Sequence, residues 1–171
     1  GEAYSGKTHL VDIFLKKFKG IKLESDLLNN KDFDEIKIYQ NIVLENINTD
    51  VNEKLIYTLI NIIDQDNKYL IVTSREPIVD IKFKLNDLKS RAKNFLLQKI
   101  EKPDDDLMFA LILKNLSDRQ ISLDKKIIDF IIKRIDRSYG KIFDFIYKVD
   151  ELSLKKKKSI DFKIIKEVLG E

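Results

Sequence analysis

The first eight residues, GEAYSGKT, constrain this chain more than any other segment. They match the pattern G-x-x-x-x-G-K-[ST] at every fixed position. A loop that turns several backbone N–H groups toward a phosphate needs glycine where a Cβ would block the approach. Lys7 would then neutralise phosphate oxygens, and the Thr8 hydroxyl would join the ligands of Mg²⁺. An ordinary glycine turn before a helix is the alternative. The residues predicted to bind nucleotide here are Gly1, Ala3, Tyr4, Ser5, Gly6, Lys7, Thr8 and His9.

The residues after this loop favour the phosphate-binding interpretation. Leu10, Ile13, Phe14 and Phe18 recur at helical spacing, and such a helix would point its positive end at the phosphates. His9 has no acid or base partner in the sequence. The alternative to a binding role for His9 is therefore an ordinary residue of the first helical turn. A buried strand precedes the first glycine in loops of this kind, whereas this sequence begins at that glycine. We therefore expect the natural protein to have residues upstream of Gly1.

The composition excludes several classes of protein. The chain has 171 residues and 43% hydrophobic content, enough to bury the core of one domain with a small satellite. It contains no Cys and a single His, which argues against disulfide scaffolds, thiolate metal sites and thiol nucleophiles. A net charge of +3 is too small to indicate nucleic acid as the main partner. Because we find neither a signal peptide nor an apolar run long enough for a bilayer, we expect a cytoplasmic protein without membrane contact.

Apolar patterns divide the chain into two parts. In residues 1–102, predicted strands at 21–23, 41–46 and 68–74 alternate with helical segments, which indicates an α/β domain with a parallel sheet. From Pro103 onward the sequence predicts helices alone, at 104–116, 123–135, 139–152 and 161–169, with Ser122 and Ser159 as candidate caps. The predicted organisation is a nucleotide-binding core over 1–102 and a helical lid over 103–171.

Glu45 and Asn46 end the second predicted strand, where ligands of parallel sheets gather. A carboxylate here can hold Mg²⁺, so Glu45 is a predicted metal ligand together with Thr8. Asn46 occupies the position where hydrolytic P-loop enzymes carry a second carboxylate, and an amide cannot take a proton from water. The interpretation is a protein that hydrolyses nucleotide weakly by itself. A merely polar strand end is the alternative.

Four segments in order carry a family resemblance: GKTHL at 6–10, VTSREP at 72–77, LNDLKSR at 85–91 and RIDRS at 134–138. Together they resemble the DnaA-related AAA+ ATPases, and most of all the Hda/HdaA regulatory inactivators, which lack the DNA-binding domain. The resemblance implies a P-loop AAA+ core with a lid, bound ADP or ATP with Mg²⁺, and the ATP-bound initiator DnaA as partner. In that family the inactivator and the DNA-loaded sliding clamp make the initiator hydrolyse its ATP. The clamp is gripped through an N-terminal peptide that this sequence does not contain.

The resemblance also implies roles for individual residues. Thr73 and Ser74 match the sensor 1 strand tip, and Arg91 falls at the arginine-finger position, which acts in trans on the partner's ATP. Gly140 stands where the family carries its sensor 2 arginine, so Arg137, on nearly the same helical face, or Lys141 would have to substitute. The alternatives are a helix-surface salt bridge for Arg91, and solvent exposure or a local ion pair for Arg137 and Lys141.

Two functions remain in competition. One is a regulator of replication initiation; the other is a self-sufficient AAA+ ATPase that acts on DNA or loads a replication protein. Asn46 and Gly140 favour the regulator, because both weaken hydrolysis in cis. A full initiator would need a helix-turn-helix domain, which this sequence lacks, so we expect no direct sequence-specific DNA binding. Lys155–Lys158 reads as a solvated turn, with contact to a phosphate backbone as the alternative. Homo-oligomerisation stays open.

Overall fold

The computed structural model describes residues 1–170, which form two compact units. Gly1 and Gly6–Ile100 make up the first unit, and Glu2–Ser5 join the residues from Glu101 onward in the second. Sequence patterns place the boundary after residue 102, close to this division. They give no hint that Glu2–Ser5 belong with the helical part.

The first unit is a parallel sheet with helices. Its elements are α1 (Lys7–Lys17), β1 (Gly20–Glu24), α2 (Asp32–Ile36), β2 (Asn41–Ile47), α3 (Glu53–Gln65), β3 (Tyr69–Ser74) and α4 (Asn86–Ala92). The strands are ordered β1-β2-β3, and β2 pairs with both neighbours in parallel. Four consecutive residues of β2, from Ile42 to Glu45, are buried, as expected of a central parallel strand. This arrangement confirms the predicted α/β fold.

The pairing of β2 with β3 contains an irregularity that the sequence pattern does not predict. The register shifts between Leu44 and Ile47, and Asn46 inside that interval has φ 60°, in the left-handed region. Asn adopts this conformation more readily than most residues. The bulge turns the backbone of Asn46 out of the regular ladder at the end of the sheet where the predicted site residues lie.

Two helices of the first unit differ in how well their patterns predict burial. In α3, Ile56, Leu59, Ile60 and Ile63 are buried, and Asn52 caps the helix by accepting from Leu55 N. In α1, whose predicted apolar stripe includes Leu10 and Ile13, only Val11 is buried, and Leu10 and Ile13 are about half exposed. The helix is confirmed, and its apolar spacing does not bury those two side chains.

The helices of the second unit are α5 (Asp105–Ser117), α6 (Lys125–Ile132), α7 (Tyr139–Lys156) and α8 (Phe162–Leu169). They enclose one apolar cluster centred on Met108, Ile112, Ile128, Ile131, Ile142, Ile146 and Ile165. The predicted caps Ser122 and Ser159 are wrong. Instead Asp124 accepts from Lys126 N and Asp161 accepts from Ile164 N, because each helix begins later than predicted. Within residues 1–170, no helix combines the length and apolarity that crossing a bilayer requires.

Candidate nucleotide-binding site

The loop before α1 ends in a glycine with a left-handed backbone. Gly6 has φ 87°, in the region where residues with a Cβ are strained, and α1 begins at the next residue. Lys7 donates from Nζ to the carbonyl oxygen of Gly1 across the loop, at 2.6 Å. The lysine side chain therefore folds back over the loop, where its ammonium group can meet an anion held by the backbone.

Thr8 and Glu45 are brought together as the sequence predicts. The Thr8 hydroxyl donates to Glu45 Oε1 at 2.9 Å, and Glu45 is 1% exposed. A hydroxyl and a carboxylate are oxygen ligands of the kind Mg²⁺ prefers. No cluster of three or more His, Cys, Asp or Glu side chains able to hold a metal occurs among residues 1–170. The two oxygens nevertheless fit Mg²⁺, which usually takes one or two protein ligands and completes its shell with water and phosphate.

Lys22 is a cation beside the same carboxylate, and sequence reasoning missed it. Its Nζ lies 3.5 Å from Glu45 Oε2 and donates to Asp12 Oδ1 at 2.9 Å. The hydrogen bond with Asp12 raises the pKa of Lys22, and the charge of Glu45 adds to the effect. Lys22 therefore stays positively charged at neutral pH. Its position in β1 gave no signal, because the contact depends on how α1 and β2 flank that strand.

Thr73 and Ser74 lie at the end of β3, next to Asn46 and to the loop. The buried Thr73 hydroxyl accepts from Asn46 N at 3.0 Å, a bond made possible by the bulge in β2. The Ser74 carbonyl oxygen accepts from Gly1 N at 3.2 Å, and the Ser74 hydroxyl donates to the Glu76 carbonyl oxygen. The two predicted sensor 1 residues thus join β3 to β2 and to the phosphate loop.

The Asn46 side-chain amide is hydrogen-bonded to the end of β1. Its Nδ2 donates to Glu24 Oε2 at 3.0 Å, and the backbone carbonyl oxygen of Asn46 accepts from Ser25 Oγ at 2.9 Å. The side chain therefore fastens the ends of β1 and β2.

The remaining loop residues fall into distinct environments. Ser5 is 9% exposed, and its hydroxyl has no hydrogen-bond partner within residues 1–170. Ala3 is partly buried, whereas His9 is exposed in the first turn of α1. Tyr4 has φ 62° and stacks on Phe143, with ring centroids 4.5 Å apart. The unpaired hydroxyl of Ser5 is unusual, because a buried polar group normally has a partner.

Glu2 is a second residue that sequence reasoning missed. Its Oε1 accepts from Tyr139 N and its Oε2 accepts from the Ser138 hydroxyl, both at 2.8 Å. Glu2 occupies a variable position of the loop motif, so the motif predicts no role for it. The only available signal is the acidic side chain within a loop expected to bind anions.

Arg91 lies on α4 in an ion pair. One terminal nitrogen contacts Asp64 Oδ2, and the other donates to Asn61 Oδ1 at 3.1 Å, both on α3. The alternative weighed for this residue, a helix-surface salt bridge, describes the observed contact. The guanidinium is 37% exposed and lines a cavity of about 270 Å³ with Asp64, Lys68 and Phe95 among its walls.

The two candidates for a sensor 2 role lie around the start of α7. Arg137 precedes the cap Ser138 and is therefore outside the helix, so the expectation that it shares a helical face with position 140 is wrong. Its guanidinium pairs with Asp105 at 2.8 Å, and both side chains are about 60% exposed. Lys141 is exposed on the first turn.

Comparison with known proteins gives a family match for residues 104–169 and a fold similarity for the chain. Residues 104–169 match the family described as "Hda, lid domain". No curated protein sequence matches the chain significantly. The crystal structure of domain III of the Thermotoga maritima replication initiation protein DnaA superposes with a TM-score of 0.77, at 17% identity, over 99% of this chain and 81% of that one.

Two further solved structures share the fold. AMPPCP-bound DnaA from Aquifex aeolicus gives a TM-score of 0.66 at 19% identity, over 92% of this chain and 58% of that one. The Thermotoga maritima RuvB Holliday junction branch migration motor gives 0.69 at 15% identity, over 99% and 59%. The chain thus spans less than two thirds of these two proteins. The sheet and helices have the AAA+ fold, and the expected resemblance to DnaA-related proteins and Hda is confirmed.

Proposed function

For a DnaA-related AAA+ chain whose lid resembles that of Hda, we propose a regulatory role in the initiation of chromosome replication. The protein would bind an adenine nucleotide with Mg²⁺ and promote ATP hydrolysis by the initiator DnaA, together with the DNA-loaded sliding clamp, in the cytoplasm. The observation that carries this proposal is the Hda lid match over residues 104–169, because it distinguishes the chain from AAA+ ATPases in general.

The geometry of the loop supports nucleotide binding. The Lys7 ammonium, the Thr8 hydroxyl and the buried Glu45 carboxylate lie at one end of the sheet, and the Ser5 hydroxyl lacks a partner in the part of the chain described. A phosphate oxygen accepting from the Ser5 hydroxyl would satisfy that group. A solved structural neighbour, DnaA from Aquifex aeolicus, is itself bound to the ATP analogue AMPPCP.

The chemistry within the chain would be weak. Mg²⁺, when bound at Thr8 and Glu45, would neutralise charge on the phosphate oxygens. Glu45 already accepts from Thr8 and would orient that hydroxyl, while Thr73 and Ser74 would lie near the terminal phosphate. Since the Asn46 amide is bound to Glu24 and cannot accept a proton, no side chain at that position activates water.

Arg91 would act on the nucleotide of the partner. A guanidinium inserted beside the transferring phosphoryl group offsets developing negative charge and raises rates by about 10³ to 10⁵ where measured. The contacts of Arg91 with Asp64 and Asn61 leave the guanidinium partly exposed. To act as an arginine finger, Arg91 would have to leave Asp64 and contact a phosphate of the partner's nucleotide. That phosphate carries more negative charge than the Asp64 carboxylate.

The test is an initiator ATPase assay with clamp loaded on DNA. We expect the chain to stimulate hydrolysis by DnaA, in a form with a clamp-binding peptide fused ahead of Gly1 if the chain alone is inactive. Arg91→Ala should abolish stimulation while nucleotide affinity is retained, and Lys7→Ala should remove nucleotide binding. Arg119→Ala is the matched control, because Arg119 pairs with Asp150 on the lid. Stimulation that survives Arg91→Ala would refute the finger assignment.

ATP turnover by the protein alone separates this proposal from a self-sufficient ATPase. The regulator should hydrolyse ATP near background in the absence of DnaA. Turnover well above background that is lost in Lys7→Ala would instead support an ATPase working in cis, and the regulatory proposal would then fail.

A further inference from the structure

We propose that Glu2 and Tyr4 are positioning residues that hold the phosphate loop in its binding conformation by anchoring it to the first turns of α7. The inference rests on the proposed nucleotide binding and adds to it a link between the loop and one lid helix. Its structural basis is that Glu2–Ser5 belong to the same compact unit as α7, although they are part of the loop motif.

The carboxylate of Glu2 closes the N-terminal end of α7. Its two oxygens accept separately from Tyr139 N and from the hydroxyl of the cap residue Ser138. The first turn of a helix leaves N–H groups without partners and carries partial positive charge. A carboxylate meets both demands, so Glu2 ties its own segment, Glu2–Ser5, to the start of this helix.

The ring of Tyr4 makes the second anchor. It lies nearly parallel to the ring of Phe143, at 11° between planes and 4.5 Å between centroids. The backbone of Tyr4 has φ 62°, a conformation that is unfavourable for a side chain of this size. The stack on Phe143 is a contact that offsets this cost.

Gly140 leaves room for this arrangement. A Cβ placed on Gly140 would lie 3.8 Å from both Tyr4 Cδ2 and Ser138 Oγ, so a methyl group fits but a long side chain would meet the Tyr4 ring. Arg137 is engaged with Asp105. In this chain the contact between loop and α7 is therefore made by side chains of the loop itself.

The anchor has two thermodynamic consequences. If the loop samples other conformations when the anchor is lost, apparent nucleotide affinity falls in proportion to the binding-competent fraction. By linkage, nucleotide binding must in return stabilise the first turn of α7. The loss of an aromatic pair of this kind changes an equilibrium constant by about 2- to 10-fold.

The experiment measures the affinity of a fluorescent ADP analogue for the full chain. Phe143→Ala should lower affinity by about 2- to 10-fold, and Phe143→Leu, which keeps an apolar side chain, should act in the same direction. Tyr147→Ala is the matched control, because Tyr147 is an exposed aromatic residue one turn further along α7. In a Tyr4→Gly background, Phe143→Ala should cost less than about 2-fold, because the ring it contacts is gone. Equal losses in both backgrounds would overturn the proposal.

Hydrogen exchange tests the link independently of affinity. Saturating ADP should slow exchange at the amides of residues 139–142 in the wild type and should do so much less in Glu2→Ala. Glu2→Ala should also speed exchange at Tyr139 without nucleotide, and unchanged exchange there would refute the anchor. If the wild type binds no ADP, both the proposed function and its link to α7 fail. If the wild type binds and Phe143→Ala changes nothing, only the anchor fails.

Discussion

Removing the ammonium group of Lys22 should expose how much the buried Glu45 carboxylate depends on it. Lys22→Met keeps most of the side-chain stem. With Nζ and Glu45 Oε2 3.5 Å apart, Coulomb's law gives about 1 to 5 kcal/mol for effective dielectric constants of about 80 to 20. Because Lys22 is 37% exposed, water screens the pair and the lower part of this range applies. We expect a loss of about 1–2 kcal/mol in the free energy of unfolding.

Urea denaturation followed by circular dichroism, without metal or nucleotide, measures this loss. Lys37→Met is the matched control, because Lys37 pairs with Asp34 on the surface, with side chains 63% and 83% exposed. The control should lose less than about 0.5 kcal/mol. Added Mg²⁺ should stabilise Lys22→Met more than the wild type, since the carboxylate lacks its ammonium partner. If Lys22→Met loses no more than the control, Lys22 does not stabilise Glu45 and the electrostatic argument is wrong.

Three further substitutions test other features of the site. Ser5→Ala should stabilise the protein without nucleotide by about 1 kcal/mol, because it removes an unpaired buried hydroxyl, and should weaken ADP binding; a destabilised variant would mean that Ser5 has a partner. Gly140→Ala should raise the melting temperature by about 1–4 °C, since a Cβ there meets only ordinary contacts and alanine favours the helix by about 0.5–1 kcal/mol. Asp64→Asn should raise stimulation of the initiator ATPase about 2- to 5-fold if the ion pair restrains Arg91, at a stability loss below about 1 kcal/mol; reduced stimulation would show that Asp64 orients Arg91 instead.

Local patterns predicted most elements because those elements are amphipathic or fully buried. In an α/β unit, the apolar spacing in α3 predicts an amphipathic helix, and the continuous apolar run of β2 predicts a buried parallel strand. The phosphate loop and its pairing with Glu45 were predictable for a similar reason. Parallel strands gather their carboxyl ends at one edge, so a carboxylate at the end of β2 must lie near the loop.

Features that depend on contacts distant in sequence were not predictable. Nothing in the residues around Arg91 indicates Asp64 on α3, and nothing around Glu2 indicates the start of α7. The caps show a related limit. Both Ser122 and Asp124 are good cap residues, and the choice between them depends on which start lets Ile128 and Ile131 reach the core.

The left-handed backbone of Asn46 restricts what evolution can place there. Gly, Asn and Asp adopt a φ near the 60° of Asn46 most readily, while longer side chains such as Glu meet a steric penalty. A water-activating carboxylate at this position would therefore arise most easily as Asp, whose codons differ from those of Asn by a single base. Under the proposed function, a single base change would therefore supply the carboxylate that hydrolytic P-loop enzymes carry at this position.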